Sequence, residues 1–520
     1  MARVFPGPLL KIEMKWIISA AEMQQSDKRT IEEWEIPSCV LMEKAALAVA
    51  EKTISLLPRE AGPILAVCGN GNNGGDGIAA ARLLYLKGYD AKILMAMGED
   101  RLSEECRRQL TIARHAGVPF VGEDVPIEEM GVILDALFGI GLSRGVEGRL
   151  ASLLLRMNAC KGKKIAVDIP SGVDANTGQI LGTAFQADET VTMAYEKIGM
   201  ALYPGKACCG NLTVADIGIY LKEASFSREK LGLLEKEDIS WIFQREEAGN
   251  KGTFGKVLLV AGSLGMAGAS ILASSAALRA GAGMAKVVTV PENLLALQIA
   301  APEVMVEVRS EEEAWKSALS WCDGLIIGPG LGKSEEAVRK VSFFLEEAKR
   351  LSLPTVVDAD ALNILAEHRE LLSLLGERAV LTPHVGEMAR LLGCSISEIK
   401  KDLVASAFQA QESLGATVVL KDASTVIAGK EESYLCPGGN PSLATAGSGD
   451  VLAGFLGATL VLGRNKKVSL SRQAACAVAL HAMLGKRARE HSPYGRVLAG
   501  DIYGQLSYLG GAKEREEEDR

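Results

Sequence analysis

Short apolar runs, each ending in a glycine-rich or polar loop and followed by a segment of helical periodicity, recur along most of the chain. Runs bounded in this way predict strands of a parallel sheet covered on both faces, with helices as the crossovers. The first strong unit is a strand over 64–68, a glycine and asparagine loop over 69–75, a helix over 76–87 that Gly88 closes, and a strand over 91–95. A βαβ unit of this kind carries a right-handed crossover with it. Further strands are predicted at 131–135 and 164–168, while Glu32 to Val49 has mixed helical periodicity. From 221 to 251 the pattern lapses into a charged, mixed stretch. A second series begins at Gly255, with strands at 256–261, 286–290, 323–327, 355–357, 379–381 and 417–420. The last long apolar run, Val451 to Leu460, is entered from PGGNPSLATAGSGD, a turn that feeds a helix N-terminus.

No close internal repeat joins the two series, so two different domains are expected, over 14–225 and 251–508, with 226–250 as linker and lead-in. Residues 1–13 are expected to be a disordered prefix, since Met14 opens a more natural start, and the charge run over 509–520 a solvated, disordered tail. A length of 520 residues agrees with two or more domains. Composition adds the class: 48% hydrophobic residues and 55 glycines with only 5% aromatics suit an α/β enzyme with many strand-to-helix turns. A formal charge of −8 and the lack of a long basic run argue against a nucleic-acid binder. Ten cysteines without a CxxC pair read as reduced thiols of a cytoplasmic protein. No secretory leader and no 18-residue apolar run is present, so neither export nor a membrane partner is expected.

Polar residues at strand ends supply the candidate chemistry, because ligands of an open parallel sheet bind outside the carboxyl ends of its strands. GNGNNGGDG is not a dinucleotide fingerprint, yet two asparagines and an aspartate among glycines are more specific than glycines alone. Asp135 opens DALFGIGLSRG, and Asp168 precedes IPSGVD with Ser171. Asn73, Asp135 and Ser171 would converge at these ends, and asparagine, carboxylate and hydroxyl oxygens with one carboxylate suit a hard monovalent cation. Capping of the loops is the plainer reading for Asp135 and Asp168. In GSGD, free backbone N–H groups and the helix dipole favour an anion. An aspartate placed there would repel a phosphate unless it takes a proton from a substrate hydroxyl, which makes Asp450 a candidate general base; a plain Asp cap is the alternative.

These motifs, in this order, resemble the bifunctional NAD(P)H-hydrate repair enzymes, a fused epimerase and dehydratase, over about residues 15–505. GNGNNGGDG, DALFGIGLSRGV and VDIPSGVDANTG carry the epimerase half; NKGTFGKVLLVAGS, GPGLG, DADALN, TPHVGE and PGGNP with GSGDVLAG carry the dehydratase half. The resemblance implies an N-terminal Rossmann-like three-layer αβα domain and a C-terminal ribokinase-like α/β domain. In the first half it implies epimerisation of R and S forms of NADHX and NADPHX. Asn72, Asn73, Gly74, Gly75, Asp76, Gly139, Ile140, Gly141, Leu142, Ser143, Arg144, Gly145 and Asp168 would contact the hydrate. Asn73, Asp135 and Ser171 would hold potassium, and Asp168 would be the acid/base.

In the second half the resemblance implies dehydration of the S form at the expense of ADP or ATP, with Mg²⁺ on the nucleotide. ADP, giving AMP and phosphate, is expected because fused forms are commoner in prokaryotes. Asp450 would deprotonate the ring hydroxyl, the backbone from Ala446 to Gly449 would stabilise the transferring phosphoryl group, and Lys421 would neutralise nucleotide phosphates. Lys421, Asp422, Ala423, Ser424, Thr425 and Gly449 would touch the nucleotide; Ala269, Gly332, His384 and Asp450 the hydrate. A homo-oligomer is expected. Asn70, the run MEKAA, Ser442 and Ala446 depart from the family pattern. Two rivals stand beside this reading: a ribokinase-like small-molecule kinase, against which the fused NNGGD half speaks, and an N-terminal half that is a non-catalytic binding scaffold, against which its retained polar residues speak.

Overall fold

The computed structural model describes residues 14–57, 62–221, 227–438 and 440–508; the expected prefix and tail lie outside the described residues. The chain divides into two compact units, one spanning Trp16–Leu231 and the other running from Gly232 onward.

In the N-terminal unit, helices α1 (Ala20–Glu32) and α2 (Ser38–Leu56) precede strand β1 (Ile64–Cys68). There follow α3 (Asn72–Leu86), β2 (Ala91–Met95), α4 (Glu104–His115), β3 (Val132–Ala136), α5 (Gly148–Asn158), β4 (Lys163–Val167), β5 (Glu189–Met193) and β6 (Asn211–Ala215). The sheet order is β2-β1-β3-β4-β5-β6, and every pair is parallel. All side chains of β1 and β3 are buried, as the uninterrupted apolar runs require of strands covered on both faces. The chain leaves β1 towards β2 on one side and returns to β3 on the other, so the loops after β1 and β3 diverge and open a crevice.

Helix α3 starts earlier than the glycines and asparagines suggest, at Asn72 rather than Asp76. Its glycines serve close packing. A Cβ on Gly74 would stand 2.0 Å from the Gly69 carbonyl oxygen, and one on Gly77 2.3 Å from the Ala136 Cβ. The turn is therefore pressed onto the ends of β1 and β3, which outweighs the poor intrinsic helix propensity of NNGG.

The C-terminal unit contains β7 (Lys256–Val260), α6 (Ala267–Arg279), β8 (Met284–Val288), β9 (Met305–Glu307), β10 (Gly324–Ile327), α7 (Glu335–Arg350), β11 (Thr355–Val357), α8 (Asp360–Glu367), β12 (Ala379–Leu381) and α9 (Val385–Leu392). After α10 (Leu403–Leu414) come β13 (Thr417–Lys421), β14 (Thr425–Ala428), β15 (Tyr434–Cys436), α11 (Ser448–Leu462) and α12 (Leu470–His491). Its strands run in the order β9-β8-β7-β10-β11-β12-β13-β14-β15. They are parallel as far as β13, and β14 and β15 then pair antiparallel. The expected strand at 417–420 thus continues into a hairpin whose turn is Asp422 to Ser424. Residues 227–250 include the short strand Lys230–Leu233 and a 3-10 segment, Glu237–Phe243, whose Asp238 is buried and takes a 2.8 Å hydrogen bond from Arg472.

Helix α11 is apolar all round and buried along most of its length, packed against α6 and α12. Close approach to α6 depends on Gly454, where a Cβ would stand 2.2 Å from the Ala273 carbonyl oxygen.

Candidate active sites

The crevice at the end of β1 and β3 is a cavity of about 530 Å³, within the range that holds small-molecule ligands. Its wall includes Asn72, Asn73 and Asp76 of α3, Gly139 to Arg144 of the loop after β3, Asp168 after β4, and Asp27 of α1. Gly74, Gly75 and Gly145 stand outside that wall: the first two are buried in the first turn of α3, against Gly69 and against Met42 and Cys106, and Gly145 lies beside Glu147.

Beneath the cavity, Asn73, Asp135 and Ser171 meet. Ser171 donates both its backbone N–H and its hydroxyl to the Asp135 carboxylate, at 2.8 and 2.7 Å. Phe138 N–H donates to the Ser171 hydroxyl oxygen at 2.9 Å, and the Asn73 amide nitrogen to the Phe138 carbonyl at 2.9 Å. Asn73 Oδ1 is buried and has no hydrogen-bond partner. Asp135 is wholly buried, and desolvation pushes its carboxyl up to about 6 despite the bonds from Ser171. Phe138 and Ser171 thus link an amide whose buried oxygen is unpaired to a buried carboxylate that has no cationic partner among the described residues.

Asp168 occupies the left-handed region, at φ 68°, a strained conformation for a residue with a side chain. Several bonds hold it there, and all of them go to Oδ1. Met193 N–H donates at 3.1 Å and the Thr192 hydroxyl at 3.2 Å, and the Lys197 ammonium pairs with the same atom. Lys197 is fully buried and donates also to Thr192 Oγ1 at 2.7 Å and the Met193 carbonyl at 3.0 Å. Oδ2 is thereby left to the cavity. The sequence offered no sign of Lys197, since YEKIGM carries no motif and the pairing spans 29 residues.

In the C-terminal unit the GSGD turn caps α11 with Gly447 at φ 84°. Ser448 and Gly449 form the first turn, and Asp450 projects from it half-buried, not as a cap but as an acidic group within the helix start. Burial raises the Asp450 carboxyl to about 6, with Asp358 adding to the rise and Lys421 opposing it. Lys421 lies over the same turn: a Cβ on Gly449 would be 3.9 Å from its amine. That amine donates to Asp358 Oδ1 at 3.0 Å, an atom that also takes the Thr382 hydroxyl at 2.6 Å. Asp358 directly follows β11, in the motif DADALN.

His384 caps α9: its Nδ1 accepts from Gly386 and Glu387 N–H at 2.9 and 3.3 Å. Partial burial, then Lys421, lowers its pKa, so the ring is neutral with its proton on Nε2, which lies 3.6 Å from Glu387 Oε1. Gly332, at φ 73°, donates its N–H to Asp360 Oδ2 at 2.8 Å. Ala269 is buried against Gly330, where a Cβ would stand 2.8 Å from its own. Asp422, Ala423 and Ser424 form the hairpin turn beside Lys421, and Thr425 opens β14 opposite it. The departures at the anion loop find a partial account here. Ser442 is buried and its hydroxyl donates to the Gly485 carbonyl of α12 at 2.8 Å, tethering the loop, whereas Ala446 is exposed and nothing in the structure explains it.

Under the same turn, the buried His481 sets Nε2 3.2 Å from the Ser448 hydroxyl, and burial lowers its pKa to about 4. A lone histidine on the apolar face of α12 gives no sequence signal of this contact.

Residues 38–199 match the family model described as YjeF-related protein N-terminus, and residues 257–506 that of NAD(P)H-hydrate dehydratase. The chain is 36% identical over 517 residues to the bifunctional NAD(P)H-hydrate repair enzyme of Moorella thermoacetica, covering 95% of this chain and 96% of that one. It is 36% identical over 430 residues to the enzyme of the same name from Escherichia coli, covering 81% and 80%. A solved ribokinase-like superfamily protein of Enterococcus faecalis is 29% identical, covers 53% of this chain and 94% of its own, and superposes with a TM-score of 0.47.

Proposed function

The chain belongs to the bifunctional NAD(P)H-hydrate repair enzymes, and on that premise we propose how its residues divide the two reactions between the two sites. The protein interconverts the R and S forms of hydrated NADH and NADPH and dehydrates the S form with ADP or ATP as co-substrate.

Epimerisation belongs to the cavity of the N-terminal unit. Asn72, Asp76 and the loop Gly139 to Arg144 bind the hydrate, and Asp168 serves as acid and base through Oδ2 while Lys197 fixes Oδ1. The orphaned Asn73 oxygen, Asp135 and Ser171 fit a potassium ion, whose charge would offset Asp135 and draw an electron-rich substrate oxygen to the cavity floor.

Dehydration belongs to the start of α11. A hydroxyl is a poor leaving group and a phosphate a good one. Asp450 takes the proton of the ring hydroxyl, whose oxygen then attacks the terminal phosphorus of ADP, and AMP departs. The first-turn N–H groups of α11 and the Lys421 amine stabilise the charge on the phosphoryl group in flight. The phosphate ester then breaks its C–O bond as the ring nitrogen pushes in electrons, and a proton leaves the adjacent carbon to restore the double bond. Among the described residues no group of three or more His, Cys, Asp and Glu could hold a metal ion, so Mg²⁺ would arrive on the nucleotide phosphates. Lys421 to Thr425 and Gly449 hold the nucleotide; Ala269, Gly332 and His384 hold the hydrate, His384 by donating from Nε2. We also propose ADP over ATP, domains over 14–225 and 251–508, a cytoplasmic setting and a homo-oligomer; among the described residues no helix is long and apolar enough to cross a membrane.

The observation that carries this reading is Asp450 itself, an aspartate in the first turn of a helix N-terminus with a lysine amine laid over it. Replacing it tests the assignment. Asp450→Ala should abolish restoration of NADH from S-NADHX, and Asp168→Ala should spare that step while leaving R-NADHX to its spontaneous epimerisation. Dehydration persisting in Asp450→Ala would contradict the assignment.

A further inference from the structure

Three carboxyl groups line the epimerase cavity, and their surroundings differ. Asp168 has a lysine, a hydroxyl and a backbone N–H on one oxygen. Asp76, on the second turn of α3, receives no hydrogen bond and no ion pair from the described residues, and its carboxyl faces the same cavity. Asp27 on α1 stands nearby, as does Arg144 on the cavity wall. The buried Lys197 amine is already committed to Asp168. Burial first, then the charges of Asp168 and Asp27, raise the Asp76 carboxyl well above the usual range, with Lys197 only partly offsetting them. The cavity therefore pairs a carboxyl group held by a lysine, a hydroxyl and a backbone N–H with one that has none of these partners and that burial makes reluctant to ionise, two like groups in surroundings that suit opposite roles.

The substrate has a use for both. An enamine adds water at the carbon next to nitrogen, so a hydrated nicotinamide ring bears its hydroxyl there, and inverting that carbon requires a bond to it to break and re-form. Resting on the assignment of Asp168 above, we propose that Asp76 is the second catalytic residue of epimerisation, acting on the leaving hydroxyl while Asp168 acts on the incoming water.

The steps balance as follows. The C–O bond breaks, the departing oxygen takes the Asp76 proton and leaves as water, and the ring-nitrogen lone pair forms a C=N bond. Water adds to the opposite face of that carbon, the C=N pair returns to nitrogen, and the proton of the added water passes to Asp168 Oδ2. The opposite epimer runs the same path with the two carboxyl groups exchanged. A route that opens the ring at the C–N bond instead would keep the original oxygen.

The test uses the full-length protein with R-NADHX in oxygen-18 water, without nucleotide, so that nothing consumes the product. Mass spectrometry should find one oxygen-18 in every molecule that has become S. Asp76→Asn should slow epimerisation by about 100-fold or more, lowering kcat by more than it raises KM, and Asp76→Glu should recover part of the rate. Rapid epimerisation by the wild type with retention of oxygen-16 would overturn the role of Asp76 while leaving the epimerase site in place, and this readout stands even if the asparagine variant does not fold. An Asp76→Asn variant with wild-type kcat, or one whose whole loss lies in KM, would also overturn it. Absence of any epimerisation by the wild type would overturn the site assignment as a whole.

Discussion

At Asp168 the chain keeps a non-glycine residue at φ 68° and spends a fully buried lysine on one of its oxygens. Removing one partner of a buried ion pair leaves the other charge uncompensated, which costs about 3–5 kcal/mol. Lys197→Met should therefore lower the unfolding midpoint of the N-terminal unit in urea and reduce the epimerase kcat more than its KM, since Lys197 positions Asp168 without touching the hydrate. Equal kcat in the variant would place Asp168 outside the chemistry. Asp450 makes a prediction in pH. Its carboxyl titrates near 6 and works as a base only when ionised, so dehydratase kcat/KM should rise with pH up to about 6 and level off above it. The same shift has a stability sign. A carboxyl raised in the folded state opposes folding once ionised, so Asp450→Asn should be more stable than the wild type above pH 6, the gain fading as pH falls towards the range where both states are protonated. A thermal scan across pH reads this directly. Asp135, Asp168, Ser171 and Asp450 were legible in the sequence because polar residues at strand and helix ends in a repeating α/β chain point to a crevice. Lys197, Asp358 and His481 were not, because their roles arise from contacts that only folding creates.

Elements were legible to the extent that burial on both faces writes a strand as an unbroken apolar run. The runs at 64–68, 91–95 and 379–381 coincide with β1, β2 and β12. Where glycine and asparagine masked the pattern, the start of α3 was missed, because close packing against Gly69 and Ala136 selects glycine in a helix that propensity disfavours. The strand β14 was missed because KDAS reads equally as a loop and as a hairpin turn. In the proposed assignment the turn into α11 holds the transferring phosphoryl group. Gly447 has φ 84°, and a Cβ there would stand 2.5 Å from Leu272 Cδ1. A left-handed conformation with a side chain costs about 1–2 kcal/mol, so Gly447→Ala should destabilise the C-terminal unit by at least that amount and depress dehydration, with epimerisation retained. Unchanged dehydratase kinetics would mean that the anion turn tolerates displacement.

At the scale of the whole molecule, each unit carries its own candidate site, and the S hydrate that one proposed reaction makes is the substrate of the other. Mixing the full-length Asp168→Ala and Asp450→Ala variants should then restore conversion of R-NADHX that neither achieves alone, as followed by nicotinamide absorbance. A mixture no better than Asp168→Ala alone would require both sites in one chain. The break in pattern near 221–251 includes the point where one compact unit gives way to the other, between Leu231 and Gly232; the pairing of residues within each site left no mark in the sequence, since it depends on sheet order. The most direct measurement supplies the wild type with R-NADHX alone, together with ADP, Mg²⁺ and K⁺, and follows the absorbance of the restored nicotinamide ring. Complete conversion, much faster than spontaneous epimerisation permits, is the predicted result. Conversion limited to the spontaneous rate, while S-NADHX is consumed rapidly, would contradict the claim that one chain performs both reactions.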